Sequence, residues 1–252
     1  NYKSKNAAEE TLLIERDLAI GDALVERLSV SNYSTQAQSA DLSIDFLADF
    51  SDMFEVRGQK RKKRGTMLPE ERTVDGIKLV YQGVDGVNMA TKISTLNSPP
   101  LTWNGNKATV HLDLAPGKSA AIEFGIQTQL GDEKLLDAKS LPTYTEQLTI
   151  DRRNYDTWRK ECASITTGDP VLNQLIDRAY RDLYILRQPT PKGWCISAGL
   201  PWFAVAFGRD ELVTGLQTLP LMPNLSRDVL TVLANYQGTK EDKFTEERKG
   251  KI

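Results

Sequence analysis

The chain has 252 residues, of which 40% are hydrophobic and 26% are charged, and its formal net charge at pH 7 is −2. This composition is typical of globular proteins and supplies enough apolar material for one large domain or two ordinary domains. Because the net charge is close to zero, neither nucleic acid nor an anionic membrane is expected as the main partner.

Two cysteines, Cys162 and Cys195, are too few for a disulfide framework, and we interpret them as free thiols in a reducing compartment. No apolar run is long enough to span a membrane, and the polar first residues do not resemble a signal peptide, so a cytoplasmic location is expected. The single histidine, His111, cannot form a histidine-based metal site and is interpreted as a histidine on a strand.

Residues 1–150 predict an antiparallel β-sandwich, because several short alternating segments are separated by turn residues. The first alternating segment is interrupted at Gly21 and Asp22, which indicates a hairpin. Residues 107–130 indicate two strands joined at Pro116 and Gly117.

After about residue 150 the apolar spacing becomes helical, and residues 151–199 are predicted to form a helical linker and a loop. Asp169 is the expected N-cap of an amphipathic helix, with Pro170 at its first position. A loop is predicted from Gln188 to about Phe207.

Residues 200–252 are predicted to begin an all-α domain. Two helices are expected, at roughly 210–220 and 226–237. Ser226 is the candidate cap of the second helix, and Gly238 is the residue expected to end it.

The segment of residues 48–65 combines acidic and aromatic side chains with a basic run. Its charged residues before the run are Asp49, Asp52, Glu55 and Arg57. We expect a structural ion-pair network there, with a rim facing the helical domain as the alternative. The basic run, residues 60–64, is interpreted as a solvated loop tip.

An Arg-Asp pair, Arg209 and Asp210, follows a stretch rich in aromatic residues. One interpretation is structural, with Asp210 capping a helix and Arg209 pairing with it or with Glu211. The other is a saccharide subsite, because an arginine fork donates and a carboxylate accepts the hydrogen bonds that vicinal hydroxyls need. In that case aromatic side chains such as Trp202 and Trp194 would cover the sugar.

Four segments of the chain contain sequence motifs of a known family, in the same order. They are "DLSIDFLADFSDMFEVRG", "YQGVDG", "AGLPWFAVAFGRDELVTGLQTL" and "YQGTKED…GKI". Together they resemble the bacterial glycogen-debranching, amylo-alpha-1,6-glucosidase-type family. The resemblance implies an α+β multidomain protein, with an N-terminal antiparallel β-sandwich followed by a helical linker and the first helices of a glucoamylase-like (α/α)6 toroid.

The resemblance also implies roles for individual residues. Arg209 and Asp210 would bind the non-reducing-end glucose of an α-glucan or oligosaccharide, with Trp202 and Phe207 as walls. Two further residues, Trp194 and Glu247, carry over as substrate-binding candidates on a weaker match. No metal or organic cofactor is implied, and neither nucleic acid nor membrane is expected as a partner.

Hydrolysis in such enzymes requires a general acid and a general base, roughly 6.5–9.5 Å apart in inverting enzymes. In toroid glycosidases both lie on later helices, so they are expected beyond Ile252, in a longer protein of which this chain is a fragment. Two alternatives stay open: a related α-glycosidase with another substrate, or a non-catalytic carbohydrate-binding or degenerate protein.

Overall fold

A computed structural model of the protein describes residues 11–251. The chain forms two compact units, Asn1–Asp151 and Arg152–Ile252. The first ten residues of the predicted sandwich and the last residue of the "GKI" motif lie outside the described residues. Among the described helices, none is long and apolar enough to cross a bilayer.

The first unit is built from strands that pair antiparallel throughout. The strands are β1 (Leu12–Ile20), β2 (Leu24–Asn32), β3 (Gln38–Asp45), β4 (Thr66–Met67), β5 (Glu71–Arg72), β6 (Gly76–Gln82), β7 (Asn88–Asn97), β8 (Leu101–Asn104), β9 (Lys107–Leu114) and β10 (Ser119–Leu130). Seven form one sheet in the order β1-β2-β10-β7-β6-β4, with β5 also on β6, and three form a second sheet, β3-β9-β8.

The two sheets of the first unit share one apolar core. Strand β9 shows why: its residues 108, 110, 112 and 114 are buried while the residues between them are more exposed, as a half-buried strand requires. Leu28, Ile93 and Phe124 from the large sheet and Leu42 and Val110 from the small one belong to the same buried cluster. The predicted antiparallel β-sandwich is confirmed.

Two turns of the first unit lie where the sequence predicts them. The predicted hairpin at Gly21 joins β1 to β2, with Ile20 opposite Leu24. The predicted junction at Pro116 and Gly117 carries the chain from β9 in one sheet to β10 in the other. At this crossing the side-chain amide of Asn32, 1% exposed, donates to the Leu114 carbonyl at 2.8 Å.

Residues 48–65 contain an ion-pair network, but its members differ from the predicted set: Asp52 and Glu55 take part, and their partners come from the basic run. Helix α1 (Met53–Val56) begins with a capping box between Asp52 and Glu55. Arg61 pairs with both of these carboxylates, and Arg64 Nε lies 3.4 Å from Glu55. The basic run is therefore not a solvated tip at these two arginines, because both turn back onto the acidic segment.

A short 3-10 helix (Ala138–Ser140) follows β10, and the elements after it lead into the second unit. They are helices α2 (Tyr144–Arg159), α3 (Pro170–Leu186), α4 (Gly208–Thr218) and α5 (Pro223–Asn235), and strands β11 (Arg187–Thr190), β12 (Gly193–Gly199) and β13 (Phe203–Ala206). The start of α3 is as predicted, because Asp169 accepts from the Val171 amide at 2.8 Å and Pro170 occupies the first turn. Trp158, Tyr180 and Val229 lie in the core of this unit.

The predicted loop between Gln188 and Phe207 is wrong, because that segment contains the three-stranded antiparallel sheet β11-β12-β13. Its prolines suggested a loop. Pro189, however, lies in β11, which is an edge strand, and an edge strand tolerates a residue without an amide donor.

The predicted ends of α5 also need correction. The helix begins at Pro223, after Met222, so Ser226 is not its cap. The buried Ser226 hydroxyl instead donates to the Gly215 carbonyl of α4 at 2.6 Å. The helix ends at Asn235, before Gly238. Proline at the first helical position was the better signal, as it was for α3.

Candidate substrate-binding site

The first turn of α4 and the end of β12 line one pocket of about 340 Å³ in the second unit. Arg209 and Asp210 supply its charged side chains. The other lining residues are Leu183, Leu186, Ile196, Ser197, Ala198, Val213 and Thr214. The pocket therefore combines a cation and an anion with a largely apolar wall.

The structure contradicts the interpretation of Asp210 as a helix cap. Helix α4 begins at Gly208 behind Phe207, and no side chain makes a capping hydrogen bond there. Asp210 still lies in the first turn, where a carboxylate favours the helix dipole. Arg209, in the same turn, places a cation at the positive end of the helix, which the dipole disfavours. Arg209 therefore does not stabilise α4 through the helix dipole.

The pairing expected in the structural interpretation is also absent. Within residues 11–251, the side chains of Arg209 and Asp210 make no hydrogen bond and no ion pair, either with each other or with Glu211. Both residues are exposed. Their donors and acceptors are thus available to a ligand in the pocket.

Such a pair can bind a polyhydroxylated ring. A guanidinium presents several N–H donors in a planar fork, and a carboxylate offers two acceptor oxygens. Hydrogen bonds to charged groups are about twice as strong as those between neutral groups. Vicinal hydroxyls, each both donor and acceptor, match this arrangement.

The aromatic candidates lie near this region but outside the pocket lining. Trp202, Phe207 and Trp194 are between a third and a half exposed, at 37%, 39% and 41%. Phe207 directly precedes α4 and meets Phe203 edge-on, with ring centroids 6.1 Å apart. The Arg187 guanidinium covers the Trp194 ring at 4.4 Å. Their sugar contacts stay predictions.

Glu247 has a local role in the segment that follows α5. Its carboxylate accepts from the Thr239 amide at 2.8 Å and the Lys240 amide at 3.3 Å. The Thr239 amide is the main reason that the pKa of Glu247 is lowered. The residue does not line the pocket with Arg209, so its contact with substrate also stays a prediction.

Sequence reasoning missed the most unusual side chain of this region. Glu211 is 0% exposed, and neither carboxylate oxygen has a hydrogen-bond partner within the described part of the chain. Burial raises its pKa, and the nearby amides of Ile196 and Phe207 offset only part of this rise. The available signal was helical spacing, because Glu211 and Gly215 are the buried positions of α4.

Comparison with known proteins gives a family for the first unit. Residues 1–125 match the family model for the N-terminal domain of some glycogen debranching enzymes. A comparison with curated proteins finds no match.

Two solved structures show the extent of the structural likeness. One, described as a candidate kojibiose phosphorylase from the human microbiome, superposes with a TM-score of 0.56 at 14% identity. The match covers 87% of this chain and 31% of that protein, so the chain spans about a third of the neighbour's length. At this identity the likeness shows the fold alone. A polysaccharide lyase matches with a TM-score of 0.29 at 12% identity over 50% of this chain and 21% of the lyase, which is too weak to bear on the fold.

The family match and the resemblance of the four sequence segments agree. The matched residues include the described strands β1 to β9 and the first part of β10. Residues 1–125 are therefore similar to the N-terminal domain of some glycogen debranching enzymes.

Proposed function

We propose that Arg209 and Asp210 bind the hydroxyl groups of a terminal glucosyl residue of an α-glucan. The observation that carries this proposal is the pair of opposite, unpaired charges lining one pocket of about 340 Å³. That volume lies within the range of about 300–1,000 Å³ typical of small-molecule sites. The match of residues 1–125 to a glycogen debranching enzyme domain supports glucan as the substrate class.

The apolar part of the pocket strengthens the proposed contacts. Leu183, Leu186 and Val213 line it beside the charged pair. Apolar walls exclude water, and a charge–dipole contact is stronger where the local dielectric constant is low. Trp202 and Phe207 are proposed to cover the outer face of the sugar.

The activity of the whole protein is part of the same proposal. We assign it to hydrolysis of α-glucans of the amylo-alpha-1,6-glucosidase type, with residues 200–252 contributing the opening helices of an (α/α)6 toroid. This chain supplies binding groups, and neither the general acid nor the general base is assigned to its described residues. Two free thiols, Cys162 and Cys195, support a reducing, cytoplasmic location.

Titration calorimetry with maltose and maltotriose tests the binding role in the 252-residue chain. Asp210→Asn and Arg209→Met should each weaken binding by about 10- to 100-fold, as loss of a hydrogen bond to a charged group predicts. Arg178→Met and Asp182→Asn are matched controls. They remove an exposed ion pair on α3, joined at 2.8 Å, that does not line the pocket.

The outcomes separate binding from a structural role. Lower stability with unchanged affinity in the Asp210 variant would contradict the proposal. Unchanged stability with weaker binding, and normal binding by both controls, supports it.

A further inference from the structure

Glu211 lies on α4, which lines the pocket together with β12 and the end of α3. It follows Asp210 on α4, yet its side chain is on the buried side of the helix and not among the pocket-lining residues. The amides that face its carboxyl belong to Ile196 on β12 and to Phe207 at the start of α4. The carboxyl is therefore near one backbone amide of β12 and one at the start of α4, and it is hydrogen-bonded to neither.

The surroundings of this carboxyl do not explain it as a stabilising group. Both oxygens are without a hydrogen-bond partner among residues 11–251, because neither facing amide reaches hydrogen-bonding geometry. A buried polar group in this condition costs stability, and an apolar side chain of similar volume is often neutral or stabilising. A buried carboxyl that lies near two amides without bonding either is suited to a state in which these contacts form.

We propose that Glu211 is a positioning residue: when a sugar occupies the pocket, its carboxyl accepts from the Ile196 and Phe207 amides and fixes the first turn of α4 against β12. This inference rests on the proposed function, because it assigns to Glu211 the alignment of Arg209 and Asp210. Binding groups must be held within about 0.5 Å of their productive positions. A bound sugar favours the closed arrangement by its better contacts there.

Three variants of the 252-residue chain test this role. Glu211→Met keeps the volume and removes both acceptors, Glu211→Gln keeps one acceptor, and Leu233→Ala weakens the core of the same unit on α5. Each is measured for thermal unfolding, for maltose affinity by calorimetry, and, with and without saturating maltose, for hydrogen exchange of the Ile196 and Phe207 amides by NMR.

We expect Glu211→Met to unfold at the wild-type temperature or above it, yet to bind maltose about tenfold more weakly. Glu211→Gln should bind within about twofold of wild type, which is rescue by the conservative variant. Leu233→Ala should lose stability and keep its affinity. Wild-type affinity in the Met variant, or equal weakening by Met and Gln, would overturn the proposal.

Maltose affinity and amide hydrogen exchange together distinguish a failure of the proposed sugar binding from a failure of the positioning role. If the wild-type chain does not bind maltose, the proposed function fails; if it binds maltose and Glu211→Met binds equally well, only the positioning role fails. With maltose bound, faster exchange of the Ile196 and Phe207 amides in the Met variant alone supports a link between α4 and β12. Exchange that is equal in the Met and Gln variants contradicts it.

Discussion

Two fully buried glutamates, one in each unit, have opposite surroundings. Glu123 in the first unit is 0% exposed and accepts from Arg27 Nε at 2.8 Å and from the Tyr144 amide at 3.2 Å. Glu211 in the second unit is equally buried and has no such partner among the described residues. The first carboxyl is integrated into its unit, whereas the second costs stability beside a pocket.

Apolar surfaces show the same contrast. In the sandwich, apolar residues from both sheets pack into one buried cluster. In the second unit, α4 and α5 leave an apolar groove of about 330 Å³. Leu212, Leu216 and Leu230 line this groove and are 40%, 73% and 58% exposed. The first unit therefore buries its apolar side chains more completely than the second, which carries the proposed ligand-binding residues.

The largest loss of stability is expected from Arg27→Met, which removes the charged partner of Glu123 and leaves it only the Tyr144 amide. Removing one partner of a buried pair leaves an uncompensated carboxylate, at a cost of about 3 kcal/mol. The low end of the usual range applies because the Arg27 side chain keeps 28% exposure. Urea denaturation measures the loss.

Arg178→Met serves as the control for this prediction. It breaks an exposed ion pair between neighbouring helical turns, so the free energy of unfolding should change by less than about 0.5 kcal/mol. Equal losses in the two variants would show that burial does not distinguish the pairs.

A smaller change in the free energy of unfolding, this time an increase, is expected from Glu211→Gln. The folded-state pKa of Glu211 is raised above its ordinary value of 4.5, mainly by burial, so wild-type stability falls as pH rises from that value through the folded pKa. Glutamine does not titrate, and the variant should be about 1 kcal/mol more stable than wild type at pH 8, with the difference shrinking toward pH 4.

Denaturation curves at several pH values check this, with Glu123→Gln as the partnered counterpart. That variant weakens a charge-assisted hydrogen bond to Arg27 and should lose stability at pH 8. A pH dependence identical in wild type and Glu211→Gln would show that Glu211 is solvated.

The smallest expected effect is a change in the pKa of His111, which lies on the exposed face of β9. Its Nδ1 lies 2.7 Å from Asp41 Oδ1, and this contact, followed by Asp113, raises the His111 pKa above 6.5. The contact stabilises the fold below the unfolded-state pKa, and this stabilisation disappears as pH rises through the folded one.

Asp41→Asn should therefore lower the His111 pKa without returning it fully to 6.5, because Asp113 remains. NMR titration of the imidazole measures the shift. Ser39→Ala, which removes a neutral partner at 3.2 Å, is the matched control. A His111 pKa that is the same in the Asp41 variant and in wild type would rule out this pair as the cause.

Local patterns predicted much of the fold. Alternation identified the strands of the sandwich, and Asp169 with Pro170 identified the start of α3. The sheet β11-β12-β13 was missed, because prolines on an edge strand resemble those of a loop. Ser226 was mistaken for a cap because a serine that bonds a neighbouring helix looks the same in sequence.

The candidate site was only partly visible in the sequence. Arg209 and Asp210 do line one pocket, because they are adjacent on one helical turn. Glu247 was named from the resemblance on a weaker match; its carboxylate accepts from two backbone amides, and its contact with substrate stays a prediction. Glu211 was passed over, since a charged residue is assumed to be solvated until a helix face is known to be buried.

The crossing at Pro116 and Gly117 couples the unfolding of the two sheets in the first unit. The Asn32 side chain at the end of β2 holds the Leu114 carbonyl of β9, and the Asn32 amide donates to the Lys118 carbonyl just before β10. Neither layer can peel away without breaking these buried contacts. The sandwich should therefore open in a single all-or-none step under load or denaturant, with no half-open intermediate for a protease to cut.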